Sequence, residues 1–433
     1  MVKLFVPILV IGLCFCSDLY IFLRYIKPAV LSSHSSFFTR HSSFFKWLWW
    51  LPLVVVLALF AKFLFFNAGL EKEYTATNIF LLVMVLVCVP KILFSLFSLI
   101  PKVGTYVGLA VALLIVYIVV YGITIGFNQL KVKHITYEST SVPEAFDGYK
   151  IVQFSDGHVG SFRGPYAHLL KETMDSINAQ KPDLICFVGD IQNFSPNELE
   201  AHRKAFSSLK APDGVMTIMG NHDYSTYLKL PAKEEAAMVQ RTRNTQRSFG
   251  WDLLEDEHRI IHRGNDSIYI IGEENWGLPP FPQFGDIKKA VGDIAKTLDK
   301  NKQTPTLSIM LSHDPNAWRH HIMPVIKPDI TLAGHTHGTQ FGLFGWSPSS
   351  MVYDEWGGEY YYNGNGNGND NGNGFREAPE HQLERKNDNG NSVSRMTTEE
   401  RPTLLSVSTG FGGNFPFRFG MPREIVVITL KKK

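Results

Sequence analysis

Four apolar stretches fill the chain as far as Phe127, at 2–23, 47–66, 78–100 and 103–127, and they limit what this half can become. Each is about 20 residues or longer, which at about 1.5 Å per helical residue covers a hydrocarbon core of about 30 Å. They read as transmembrane helices. Trp47, Trp49 and Trp50 open the second stretch, where an aromatic belt would meet the lipid headgroups. A cleaved signal peptide would account for the first stretch alone, and three more follow it, so an all-α bundle of four transmembrane helices is expected over residues 1–130.

Asp18, Lys62 and Lys91 interrupt these runs. A charge inside lipid is expensive unless paired, so a scaffold salt bridge from Asp18 to Lys62 or Lys91 is favoured over an ion pathway; the long stem of Lys62 can also snorkel. Basic residues in the loops set orientation. Arg24, Lys27, Arg40 and Lys46 fall in the first loop and Lys102 in the third, against Lys72 in the second and Lys3, Lys131 and Lys133 at the two ends. The balance places loops one and three inside, giving a multi-pass integral membrane protein whose termini and second half are extracytoplasmic.

Beyond Phe127 the composition becomes globular. Across the 433 residues, 42 Lys and Arg face 40 Asp and Glu, a formal charge of +2, with no basic patch that would signal nucleic acid. Four cysteines, three of them in the apolar runs and Cys186 in "LICFVGD", do not form a disulfide framework and leave the redox compartment open. Short apolar runs alternate with amphipathic ones. "GPYAHLLKETMDSINAQ" puts Tyr166, Leu169, Leu170, Met174 and Ile177 on one helical face, and further helices are expected near 197–209, 232–247 and 286–298. An α/β fold follows for 131–433. One segment does not suit a core: "NGNGNGNDNGNG" begins an almost wholly polar stretch at 363–401, expected to be a flexible insertion.

Five of the apolar runs end in polar clusters: "SDGH" (Asp156, His158), "GD" (Asp190), "GNHD" (Asn221, His222, Asp223), "SHD" (His313, Asp314) and "GHTH" (His335, His337). Loops at the carboxyl ends of strands in an α/β sheet gather in one crevice, so these donors can converge. Taken singly each is an ordinary turn, cap or half-buried histidine; jointly they point to metal. Imidazole, carboxylate and carboxamide without thiolate suit Mn, Fe, Zn or Ni. Two divalent ions sharing a bridging carboxylate would use a donor set too large for one tetrahedral ion.

"SDGH", "GDIQN", "GNHD", "LSHDP" and "GHTHGTQ", in this order, resemble the calcineurin-like metallophosphoesterases, and in particular their bacterial membrane-associated branch; "STGFGGNFPFRFGMPREIVVITL" resembles that branch's closing strand region. The resemblance runs over 149–430 without the insertion. It implies a four-layer αββα sandwich, with Asp156, His158 and His337 on one metal, Asn221, His313 and His335 on the other, and Asp190 between them. His222 would face the scissile phosphate, with Asp223 orienting its ring. Asn193 and Thr339 stand where relatives more often carry an acidic residue and glycine, which bears on substrate contacts. Arg163 and Arg418 are candidate phosphate contacts, since a guanidinium can bind an oxyanion through two hydrogen bonds.

The expected activity is hydrolysis of a phosphomonoester, phosphodiester or pyrophosphate bond by a metal-activated hydroxide. The substrate is a phosphoester, either lipid-linked, as the membrane half suggests, or soluble. Two other readings stand beside it: a catalytically inactive scaffold on the same fold, and a transporter with an appended hydrolase.

Overall fold

The structure, a computed structural model, describes residues 2–32, 42–65, 70–298, 306–362, 375–377 and 403–433. The chain divides into two units, Met1–Thr124 and Ile125–Lys433.

The first unit is helical. Helices run Val2–Ile21, Lys27–Ser32, Ser42–Phe65, Leu70–Val83, Val89–Ser98 and Val103–Thr124, with single π turns at Phe22–Ile26 and Met84–Cys88. Among the described residues three helices are long and apolar enough to cross a membrane, at Leu9–Ala29, Thr77–Ser98 and Val103–Asn128; a shorter apolar helix covers Trp47–Lys62. The last two helices pack very closely. A Cβ at Gly104 would fall 2.0 Å from the Phe97 carbonyl oxygen and one at Gly108 would fall 2.9 Å from Phe97 Cβ, so small residues four apart let the backbones meet.

Asp18 pairs with Lys91 at 2.7 Å, as a scaffold salt bridge would. Lys91 Nζ also lies 4.0 Å from the centroid of the Trp49 ring, and Trp49 Nε1 donates to the Asp18 carbonyl at 3.2 Å. The ammonium is therefore enclosed by a carboxylate and a ring face, which lowers the penalty of keeping it in an apolar bundle.

The second unit holds two mixed sheets. The first has six strands in the order β1 (Leu130–Ser139), β13 (Arg423–Lys432), β2 (Lys150–Phe154), β3 (Leu184–Val188), β4 (Val215–Ile218), β5 (Asp252–Leu253). The second has seven: β11 (Phe375–Glu377), β10 (Gly358–Tyr362), β12 (Thr403–Val407), β9 (Ile330–Ala333), β8 (Leu307–Leu311), β7 (Asp266–Gly272), β6 (Glu257–Arg263). Pairing is parallel from β2 to β5 and from β12 to β7. β13 runs antiparallel to β2 and parallel to β1.

Strand periodicity explains the runs of apolar residues. Ile151, Leu184 and Ile218 meet Ile268, Ile309 and Leu332 in one cluster drawn from both sheets. Their neighbours Val152, Ile185 and Phe187 turn the other way and pack on Leu170, Met174 and Ile177 of the helix Ala167–Ala179. Ile271 and Met310 of the second sheet do the same with Ile287, Val291 and Ile322. A central strand covered on both faces has no polar side, and each such buried side chain is worth about 1.5–3 kcal/mol.

Two expected helices come out short. Around 197–209 the chain forms 3-10 turns and the single turn Arg203–Phe206, because Glu198 folds back to accept from the backbone N–H groups of Asn193, Phe194 and Ser195. Around 286–298 a helix at Ile287–Val291 gives way to a 3-10 turn at Gly292, whose φ is +53. The helix Ala232–Ser248 forms over the expected segment. Of the insertion expected at 363–401, only β11 lies within the described residues, paired antiparallel with β10.

Candidate metal centre

All five polar clusters sit at the carboxyl ends of strands, but those strands belong to two sheets. Asp156 and His158 follow β2, Asp190 follows β3, Asn221 and His222 follow β4; His313 follows β8 and His335 and His337 follow β9. The site therefore straddles the sandwich. Asp156, His158, Asp190, His335 and His337 all have positive φ, between +40 and +73. Non-glycine residues adopt that region at a cost of about 1–2 kcal/mol, and a cluster of them at a functional site means the surrounding scaffold overrides local preference.

Backbone contacts hold the loops together. The Asp156 carboxylate accepts from His335 N–H at 3.0 Å, and a Cβ at Gly334 would fall 2.4 Å from Asp156 Oδ2, so only glycine permits the approach. Asp190 Oδ1 accepts from His222 N–H at 2.8 Å. Its other oxygen, Oδ2, lies 3.1 Å from His313 Nε2 and 3.5 Å from His158 Nε2, midway between the two halves of the site. His158 and His337 bring their Nε2 atoms 3.0 Å apart, and His337 Nε2 is 3.5 Å from Asp156 Oδ1. On the other side His313 Nε2 is 3.2 Å from Asn221 Oδ1. Three groups of donor atoms lie close enough to share an ion: Asp156, His158, His337; His158, Asp190, His222; Asp190, His313, His335.

The ring orientations are set from outside. His313 Nδ1 donates to the Val188 carbonyl at 2.7 Å, leaving Nε2 for the centre. His335 uses Nε2 on the Tyr353 hydroxyl at 2.9 Å, with Asp314 Oδ2 at 3.6 Å, while its buried Nδ1 has no hydrogen-bond partner. Asn221 Nδ2 donates to the Tyr227 hydroxyl at 2.7 Å, which turns its Oδ1 inward. Tyr353 and Tyr227 carry no sequence signal for this role, since neither belongs to a motif block.

Burial shapes the electrostatics. It pushes Asp156 up to about 6, His222 down to about 4 and His335 down to about 3, and holds His337 well below the usual imidazole value. Asp190 goes the other way: burial opposes its charge, but His313 and His222 hold it well below the ordinary carboxylate range. Burial likewise opposes a charged His313, and Asp190 overrides it to raise the ring to about 10. The protein alone thus disfavours several of its own ionised or protonated donors. Deprotonated carboxylates and neutral imidazoles are the forms that coordinate cations, and the buried Nδ1 of His335 has no hydrogen-bond partner in a ring grouped with Asp190 and His313; the donor set fits two divalent ions.

Two expected roles are corrected. Asp223 does not orient His222. Its carboxylate accepts from the N–H groups of Asp190, Gly220, Ile191 and Gln192 at 2.9, 2.9, 3.0 and 3.3 Å, stapling the β3 and β4 loops, and it is the Asn193 carbonyl that meets His222 Nδ1 at 2.6 Å. Arg418 is no phosphate contact. It is fully buried, and its guanidinium donates to the carbonyls of Thr409, Gly412, Met421 and Pro422. Arg163 is exposed and lies outside the residues lining the cavity of about 220 Å³ over the centre, which include His222, Tyr227, Phe281, Thr339, Val352 and Tyr353. A larger cleft, about 630 Å³, opens at Lys181, Lys210 and Trp251, on segments that precede the strands, and contains none of the donors.

Residues 149–339 match the profile of the calcineurin-like phosphoesterase family. The second unit carries a calcineurin-like phosphoesterase domain. Curated relatives include the uncharacterized metallophosphoesterase YkuE of Bacillus subtilis, 31% identical over 212 residues, covering 48% of this chain and 65% of that one. A transmembrane protein with metallophosphoesterase domain from Danio rerio is 26% identical over 254 residues, 53% of each chain. The UDP-2,3-diacylglucosamine pyrophosphatase LpxG of Chlamydia trachomatis is 27% identical over 251 residues, 50% of this chain and 71% of that one. The chain thus spans about half to two thirds of the first two relatives. The phosphoesterase match begins at Tyr149 and leaves the helical unit outside it.

Proposed function

We propose that the phosphoesterase domain hydrolyses phosphoester or pyrophosphate bonds with two divalent cations, one held by Asp156, His158 and His337, the other by Asn221, His313 and His335, with Asp190 between them. Two such cations would supply Lewis acidity: they acidify water and neutralise phosphate oxygens as charge moves to the leaving group. The observation that carries this reading is the placement of Asp190 Oδ2 between His158 and His313.

The chain's own part is positioning and proton transfer. Asn193 fixes the His222 ring through Nδ1, so Nε2 is the nitrogen left to face the cavity. A phosphate oxygen beside Nε2 would raise the ring's affinity for a proton, and the imidazolium would then donate it to the leaving oxygen; such general acid catalysis is worth about 10² to 10⁴ in rate. Phe281 and Val352 line the cavity and limit water. The two sheets with helices on their outer faces form a four-layer sandwich over 131–433.

The same reading makes residues 1–130 a multi-pass anchor of four helices, with the phosphoesterase domain on the extracytoplasmic side as the Lys and Arg balance favours. A substrate that is itself held in a membrane follows, and the relative named for a diacylated sugar nucleotide agrees with that class. The test is elemental analysis of the purified full-length protein together with a phosphate-release screen across phospholipids, lipid-linked diphosphates, nucleotides and bis(p-nitrophenyl) phosphate. About two ions per chain and turnover of a lipid-linked ester are expected. A chain that holds less than one ion and hydrolyses nothing is the inactive scaffold instead.

A further inference from the structure

The segment 341–352 carries a group of apolar side chains turned outward beside the metal centre. Phe344 is 98% exposed, Met351 78% and Val352 75%, with Leu343 and Trp346 about half exposed. Scattered exposed apolar residues are ordinary, but five large ones within ten residues of one loop form a patch of the kind that marks a docking surface.

The patch is held in place. Leu343 and Trp346 exchange backbone hydrogen bonds at 2.8 and 3.0 Å around Phe344 and Gly345, both at positive φ (+51 and +79), which is the backbone of a tight two-residue hairpin. Phenylalanine is a poor residue for that conformation, so the strain at the tip calls for a reason. At the base, Phe341 stacks on Phe419 with centroids 5.6 Å apart and Gly342 N–H donates to the Phe419 carbonyl at 2.8 Å. Ser347 Oγ donates to the Gly338 carbonyl at 2.6 Å, tying the returning strand to the histidine loop. The far end leads into the cavity, since Val352 and Tyr353 line it and Tyr353 holds His335.

We propose that this loop is an interfacial anchor that sets Phe344, Trp346 and Met351 into the surface of a lipid bilayer, so that a phosphorylated lipid reaches the centre from the membrane. The occupant is lipid because the same chain has three helices able to cross a membrane, and because Trp and Phe are the side chains that favour the headgroup boundary. From Gly338 to Tyr353 the sequence has no Lys or Arg, so attachment is apolar and does not depend on anionic lipid. The inference takes its purpose from the lipid-hydrolase reading, but the measurement below needs no turnover.

The test places a nitroxide at Phe344→Cys in full-length protein carrying Cys16→Ser, reconstituted in phosphatidylcholine vesicles, and compares it with the same label at Lys288→Cys, an exposed site on the helix Ile287–Val291. The expected result is gain of collisions with lipid-dissolved oxygen and loss of most collisions with a water-soluble nickel complex at position 344 only, unchanged when phosphatidylglycerol is added. A label at 344 that remains open to nickel overturns the proposal. One shielded from both reagents overturns it as well, since the loop then packs on protein or on a second copy. A lipid-embedded label in a protein that hydrolyses nothing leaves the anchor standing and removes the hydrolase reading.

Discussion

His158 and His337, 179 residues apart in sequence, turn their Nε2 atoms to within 3.0 Å of each other. Two neutral imidazole lone pairs repel at that distance unless a proton or a cation is shared between them. With Asp156 Oδ1 at 3.5 Å from the same His337 nitrogen, the pair would form one side of the proposed cation cage, with its counterpart across Asp190 at His313.

Asp190→Asn should therefore disturb both halves at once while preserving side-chain size. We expect bound metal to fall by at least half and hydrolysis of bis(p-nitrophenyl) phosphate to fall by more than the roughly 100-fold that loss of an outer partner costs. Elemental analysis read beside p-nitrophenol release checks it; full metal content in the variant would remove Asp190 from the shared position.

Tyr353→Phe tests the outer partner of His335. Losing the hydroxyl 2.9 Å from Nε2 frees the ring to turn, and metal affinity should weaken about 10- to 100-fold at one of two sites. Competition with a fluorescent chelator separates the two sites. Equal loss at both, or at neither, would contradict an orienting role confined to His335.

Arg418→Met should act on stability and leave substrate affinity alone. The substitution strands several buried carbonyls that the guanidinium now satisfies, an expected loss of about 3 kcal/mol or more. Chemical denaturation gives the stability, and an unchanged KM for a soluble ester in the protein that remains folded separates this from a phosphate-binding role.

Glu273 supplies a dependence on pH. It is fully buried, accepts from Ser312 Oγ at 2.7 Å and lies 3.3 Å from His321 Nε2, and burial raises its carboxyl above the ordinary value of 4.5 against the opposing pull of His321 and Ser312. A raised folded value means the native state holds the proton more tightly. Its contribution to stability is fully present below about 4.5 and is lost as pH climbs through the higher folded value. Glu273→Gln has no proton to lose, so its melting temperature should gain on the wild type as pH rises from 4 to neutrality; a constant difference would refute the assignment.

The Asp18–Lys91 pair separates a scaffold from an ion pathway. Removing either charge alone leaves its partner unpaired among apolar helices, at an expected cost of about 3–5 kcal/mol, whereas Asp18→Leu with Lys91→Leu together should recover most of it. Thermal stability in detergent reads the cycle. Additive losses would mean the two charges do not depend on each other.

Much of the centre was legible in the sequence because its donors come in short blocks, each at the end of an apolar run, and strand ends converge by geometry. What could not be read there is whatever depends on side-chain direction. Asp223 has the composition of a ring-orienting acid, yet its backbone turns it toward the amides of Asp190 and Gly220. Arg418 sits in a glycine-rich loop that looks open in sequence and closes over it in space. Tyr353 and Tyr227 act from irregular segments, where no periodicity exists to flag them. The two-sheet origin of the donors was equally hidden, because a parallel strand run has the same pattern whichever sheet it joins.

The position of β13 has a consequence for how the protein is made. β1 pairs with no described strand except β13, and β13 lies between β1 and β2. Residues 130–139 must therefore wait through the synthesis of nearly three hundred more before their edge is covered. The apolar helices can form long before the second unit closes, and in that interval β1 is an open β-edge available to chaperones, proteases or neighbouring nascent chains.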